Sequence, residues 1–138
     1  MRVLALDYGS ARCGCALSDP SGTIATPLGA VERPDSRRGM RALSELVREY
    51  AVDRVVVGLP LSLRGSDTEQ TRAAREFAQR LERALGPHVA VEMHDERFTT
   101  RLAQRSAHAY GASASEDSRA AAHLLESWLA ARAREPAG

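Results

Sequence analysis

The sequence predicts an α/β fold. Its core is a mixed five-stranded sheet, with a three-stranded antiparallel meander extended by two parallel strands and helices flanking it. Three observations carry this. Short apolar runs crowd the first thirty-odd residues with turn residues between them and no room for a helix. From Ser36 onward, stretches with helical spacing alternate with apolar runs. The crossovers around the runs at Val55 and Val89 are long enough to lay both strands parallel to the first.

Taken in order, Arg2–Asp7 and Cys13–Ser18 read as strands separated by a Gly-containing turn, and Thr23–Glu32 completes the meander. "SRRGMRALSELVREY" places Met40, Leu43, Leu46, Val47 and Tyr50 on one helical face. "DRVVVGLP" is a continuous apolar run closed by Gly58 and Pro60, the pattern of a strand covered on both faces. A polar loop with Ser66 or Asp67 as cap leads into a helix over Thr68–Leu85. Its inner side carries Ala74, Phe77, Ala78, Leu81 and Leu85, and Gly86–Pro87 ends it. "HVAVEMH" is the fifth strand. "TTRLAQRSAHAY" predicts a short helix capped by Thr99 or Thr100 and stopped by Gly111. A last helix spans Ser115–Arg134 with Ala121, Leu124, Leu125, Trp128 and Leu129 inward. Residues 1–134 form one expected domain without repeat or linker, and 135–138 a frayed tail.

At 138 residues the chain is long enough to bury roughly two-thirds of its unfolded surface. Its 43% hydrophobic and 27% charged content is that of a globular protein. Aromatics make up only 4%, which argues against a surface built on base stacking. A net charge of +1 argues against coating nucleic acid by bulk electrostatics, so any such contact has to use local clusters. Those clusters are arginine throughout, since no lysine occurs, and arginine suits bidentate phosphate contacts. Cys13 and Cys15 share a strand face and are expected buried and reduced. Neither a signal segment nor an apolar run of bilayer length is present, so a soluble, cytoplasmic protein with no membrane partner is expected. The histidines lack ligand spacing, and Ser10 and Ser18 lack a base, so nucleophilic catalysis has no support.

Acids carry the functional signal. In such sheets, sites gather beyond the carboxyl ends of the parallel strands. Those ends are Asp7, Gly58–Pro60 and His94–Glu96, and Asp117 stands in the first turn of the last helix. Singly, each acid has an ordinary explanation as a turn residue or a partner of a helix dipole. Collectively, the topology brings separated acids to one end of one sheet, where they repel one another unless a cation neutralises them. An all-oxygen set suits Mg²⁺ or Mn²⁺, and two such ions activate water against a phosphodiester. The turn "LDYGSARCG" offers backbone amides to a phosphate, and the loop "VGLPLSLRGSDTEQTR" is either a helix entry or substrate-facing. Arg97, Arg101 and Arg105, four apart, form a stripe beginning beside Glu96, either a solvated face or a phosphate track.

Four blocks in this order resemble the YqgF/RuvX family of pre-16S rRNA nucleases and Holliday-junction-resolvase-like proteins. They are "LALDYGSARCGCALSD", "VVVGLPLSLRGSDTEQTRAAREFAQRL", "DERFTT" and "DSRAAAHLLESWL", which together span nearly the whole chain. The resemblance implies an RNase H-like fold and a divalent-metal-dependent nuclease with Asp7, Glu96 and Asp117 as catalytic, metal-holding acids and Asp95 as a further candidate ligand. Arg12, Arg97 and Thr99 match motif positions for phosphate contact or scaffolding. With Gly9, Ser62, Arg64, Arg101 and Arg105 they make up the expected substrate-binding set.

Two departures stand out. Family members often carry a basic stretch before the last acid, whereas "YGASASED" has none and adds Glu116. Ser62 stands where the family often has Asn. The resemblance implies RNA as substrate, through processing of the 5′ end of pre-16S rRNA, with DNA also possible. The rivals are a junction resolvase, which needs a symmetric dimer, and a non-catalytic RNA-binding factor in ribosome assembly or transcription. Monomer and homodimer both remain open.

Overall fold

The structure, a computed structural model, describes residues 1–98 and 115–134. Strands β1 (Val3–Asp7), β2 (Arg12–Ser18) and β3 (Ala25–Glu32) are followed by helix α1 (Arg37–Glu49), strand β4 (Arg54–Leu59), helix α2 (Glu69–Leu85) and strand β5 (Ala90–Asp95). A single 3₁₀ turn covers Glu96–Phe98, and helix α3 spans Glu116–Ala133. The sheet order is β3-β2-β1-β4-β5. β1–β2 and β2–β3 are antiparallel, while β1–β4 and β4–β5 are parallel, which is the expected mixed sheet.

Each face of the sheet has its own core. Leu4, Leu6, Cys13, Cys15, Leu17, Val55 and Val57 pack against Leu43 and Val47 of α1 and Phe77, Ala78 and Leu81 of α2. The alternate residues Val3, Ala5, Ala16 and Val56 pack against Ala121, Ala122, Leu124, Leu125 and Trp128 of α3. Val55, Val56 and Val57 are wholly buried, as a run of three apolar residues requires when both faces are covered. Cys13 and Cys15 are free and buried.

Some element boundaries shift for local reasons. β3 begins at Ala25 because the Asp19 carboxylate accepts the N–H groups of Thr23 (2.7 Å) and Ile24 (2.8 Å), holding both in a turn. The α2 cap is Thr68, not Ser66 or Asp67. Thr68 and Thr71 satisfy each other's backbone N–H groups in a capping box. The Thr71 hydroxyl also donates to the Pro60 carbonyl at 2.6 Å, pinning the start of α2 to the end of β4. β5 runs two residues later than "HVAVEMH" at its start and one later at its end, leaving Asp95 as its last residue. The expected helix over 99–110 and the tail 135–138 lie outside the described residues. Among the described residues no helix is long and apolar enough to cross a membrane.

Candidate active site

Strand alternation decides where Asp7 points. Val3 and Ala5 belong to the α3 face, and Asp7 continues that series to the carboxyl end of β1. On one side Asp7 pairs with Gly14 of β2. On the other, the parallel register that sets Leu6 beside Val57 brings Gly58 level with Asp7. Asp7 is thus bracketed by glycines on both neighbouring strands. Glycine weakens a strand interior, so two here call for a reason.

The two other acids supply it. A Cβ at Gly58 would stand 2.0 Å from Glu96 Oε1, and a Cβ at Gly14 would stand 1.9 Å from the Asp117 carbonyl oxygen and 3.1 Å from Asp117 Cβ. Glu96 follows β5 directly, so its carboxyl folds back over Gly58. Asp117 arrives on the first turn of α3, where Ser115 caps the helix by accepting from the Ser118 N–H at 3.1 Å. The helix then seats its backbone directly on Gly14.

Electrostatics match this crowding. The Glu96 carboxyl donates a hydrogen bond to the Asp7 carboxylate. Burial, that bond and the Asp7 charge push Glu96 up to about 8. Burial likewise raises Asp7, against the lowering effect of the bond, and the charge of Asp117 adds to the rise. Asp117 is therefore close enough to be felt at Asp7, but its carboxylate accepts from Arg12 Nε at 3.0 Å. Among the described residues no three His, Cys, Asp or Glu side chains stand together as a preformed ion cage. What the structure brings together is a proton-sharing Asp7–Glu96 pair with Asp117 beside it on an exposed arginine.

The remaining predicted residues fall around this pair. Asp95 is occupied: the Arg97 guanidinium donates to it from Nε (2.9 Å) and Nη2 (2.6 Å), and that contact lowers the Asp95 carboxyl. Arg97 also leans on the β4–α2 loop, since a Cβ at Gly65 would stand 3.1 Å from its Nη1. The Ser62 hydroxyl accepts from the Ser66 N–H at 3.0 Å and so closes that loop on itself, while Arg64 is exposed on it. Gly9 turns tightly, with room for a Cβ only 2.8 Å from the Arg12 carbonyl oxygen. Thr99, Arg101 and Arg105 lie outside the described residues.

Gly14 escaped the sequence reading of the site, and Gly58 was placed at a strand end there without the role of leaving space for Glu96, although isolated glycines inside apolar strands mark close approach by another group. Tyr8 also escaped it. Its hydroxyl donates to Asp35, which Arg80 holds through its carbonyl at 2.8 Å, and its ring stacks on Phe77 with centroids 4.5 Å apart. The residue next to Asp7 is thereby fixed to α2 and to the segment before α1. Nothing in the local sequence announces that network.

The comparisons with known proteins give the family and the fold. The family model described as "RuvX: Holliday junction resolvase" matches residues 1–131. The chain belongs to the RuvX family. Among its curated relatives, a protein of Corynebacterium jeikeium (strain K411) is 38% identical, over 96% of this chain and 88% of its own length. One of Anaeromyxobacter sp. (strain K) is 41% identical, over 96% and 99%. Both carry the name "Putative pre-16S rRNA nuclease". In fold, this RuvX chain is similar to Thermus thermophilus RuvC solved with a Holliday junction substrate. The TM-score is 0.64 at 16% identity, covering 97% of this chain and 96% of that one. The Fowlpox virus resolvase with Holliday junction DNA gives 0.57 at 10% identity, covering 96% and 99%.

Proposed function

We propose that this chain is a divalent-metal-dependent nuclease that hydrolyses phosphodiester bonds in RNA, with Asp7, Glu96 and Asp117 as its cation-holding acids. The observation that carries the reading is the Asp7–Glu96 pair. Two carboxyls crowd together at the carboxyl end of the central strand, where burial and their mutual contact hold both above the ordinary carboxylate range. Their oxygen-only donor set fits Mg²⁺ or Mn²⁺. Such cations, when bound, neutralise the acids, activate water and stabilise the leaving oxygen.

The chain's own residues do the rest. Glu96 releases its proton when a cation is bound, and Gly58 leaves the space in which its carboxyl meets Asp7. Arg12 holds Asp117 at the rim and presents its guanidinium toward a phosphate approaching there. Arg97 fixes Asp95 and the β4–α2 loop, so Asp95 acts as a scaffold for Arg97 in preference to a fourth ligand. The relatives' names support RNA as the substrate, with pre-16S rRNA as the natural one; processing at its 5′ end is part of this reading.

Resolution of branched DNA is the second reading, supported by the description of the family model. One cleavage panel separates them: structured RNA, single-stranded DNA and a four-way junction, each with Mg²⁺, Mn²⁺ or EDTA. The expected result is RNA cleavage that disappears in EDTA and in Asp7→Asn. Symmetric paired nicks in the junction without RNA cleavage would favour resolution. RNA binding without any cleavage would leave the non-catalytic factor. Wild-type rates from Asp7→Asn in metal-stripped buffer would overturn the mechanism.

A further inference from the structure

A cavity of about 450 Å³ opens directly beside the acid pair. Asp7 and Glu96 form one end of it. The turn after β1 (Tyr8, Gly9, Ser10) and Pro60 form its walls, and the first turns of α2 contribute Glu69, Gln70 and Ala73. Its size falls in the range of small-molecule sites and is too small for a base pair with its backbone. Among the described residues no arginine lines it. Glu69 and Gln70 are exposed, and among the described residues no hydrogen bond or ion pair engages their side chains. Their polar atoms are available to something that enters.

Resting on the nuclease reading above, we propose that this cavity takes one unpaired nucleotide next to the scissile phosphate and that Glu69 selects guanine. An ionised carboxylate only accepts hydrogen bonds. Guanine alone among the common bases carries two adjacent N–H donors, N1–H and the 2-amino group, on its pairing edge. Adenine and cytosine offer one amino group there, and uracil offers a single N–H between two carbonyl oxygens that a carboxylate repels. Gln70, with both a donor and an acceptor, stands beside Glu69 to meet the guanine O6 or the sugar. Tyr8, Pro60 and Ala73 supply the apolar lining for the base faces. A base that presents its pairing edge to Glu69 has left any duplex, so the substrate is single-stranded or opened at the cut.

The test uses short oligouridine strands that carry one guanosine, adenosine or cytidine, with all-uridine as reference. Binding is read by fluorescence anisotropy in EDTA, where no cleavage occurs. Wild-type protein is expected to prefer the guanosine strand by about tenfold or more, the size a two-point base contact supports. Glu69→Gln is expected to erase the preference while keeping the same far-ultraviolet circular dichroism spectrum. With Mg²⁺, moving the guanosine along the strand should move the cut with it. Cleavage indifferent to the base, or guanosine preference surviving in both Glu69→Gln and Glu69→Ala, overturns the pocket while leaving the nuclease standing. Guanosine-selective binding that Glu69→Gln abolishes, without cleavage under any metal, supports the pocket and sinks the nuclease.

Discussion

At the scale of single residues, Asp7 and Glu96 trade stability for readiness. Glu96 holds its proton up to about pH 8 in the folded protein but releases it in the ordinary carboxylate range once unfolded. The unfolded state therefore binds fewer protons between those values. Metal-free stability is complete below the ordinary carboxylate value and falls as pH rises toward 8. Thermal melts in EDTA at pH 5 and pH 8.5 should show the loss in wild type and a much smaller one in Glu96→Gln. Equal losses would mean the pair is not strained. Adding Mg²⁺ at pH 8.5 should restore the wild-type melting temperature and leave Glu96→Gln largely unmoved. The same proton gives a second readout: metal binding near pH 7 should release about one proton per chain, measurable in a weakly buffered indicator solution.

At the scale of elements, the two glycines beside Asp7 do different work and should fail differently. A methyl at Gly58 meets the end of a flexible side chain, so Gly58→Ala displaces the Glu96 carboxyl and little else. Cleavage should drop at least a hundredfold while the melting temperature changes by a few degrees at most. A methyl at Gly14 meets backbone, the Asp117 carbonyl of α3. Gly14→Ala must push the helix start off the sheet, an overpacking cost of about 1–3 kcal/mol readable by urea titration. If both variants lose activity and stability in the same proportion, the cradle assignment is wrong. Further along α3, His123 is buried at 7% exposure, and its ring is held below the usual imidazole value by that burial and by the Arg119 charge, with Glu126 close by. Its contribution is intact above about pH 6.5 and is lost as pH falls through the lowered folded value. His123→Gln should flatten the decline in stability on the acid side of pH 6.5.

For the whole molecule, the topology was legible because hydrophobic spacing is a property of neighbours in sequence. The run Val55–Val57 announced a strand covered on both faces, and Met40 to Tyr50 announced a helix with one inward face. That topology in turn aimed Asp7, Glu96 and the start of α3 at one place. Contacts between distant segments were not legible. Asp19 reaching forward to hold Thr23 and Ile24, Arg97 closing on Asp95, and Tyr8 tied to Asp35 and Arg80 depend on which rotamers the folded backbone allows. Gly14 and Gly58 lie between these cases, since the strands containing them were recognised while the groups that need the space were not. Assembly also belongs to this scale. A solution mass with a cleavage pattern separates the two nuclease readings, because a stable dimer making paired nicks is the geometry of resolution. A monomer trimming RNA ends is the geometry of processing.

Among the described residues, helix α3 is the element that packs on one face of the sheet, and it also carries Asp117 to the edge of the site. It follows all five described strands, so during translation it leaves the ribosome after those sheet residues have emerged. A nascent chain paused before residue 115 holds Asp7 and Glu96 with no third acid and an uncovered apolar surface. On the nuclease reading proposed above, cleavage would then wait until α3 has emerged and folded. Stalled nascent chains that already cleave RNA before α3 emerges would refute that built-in delay.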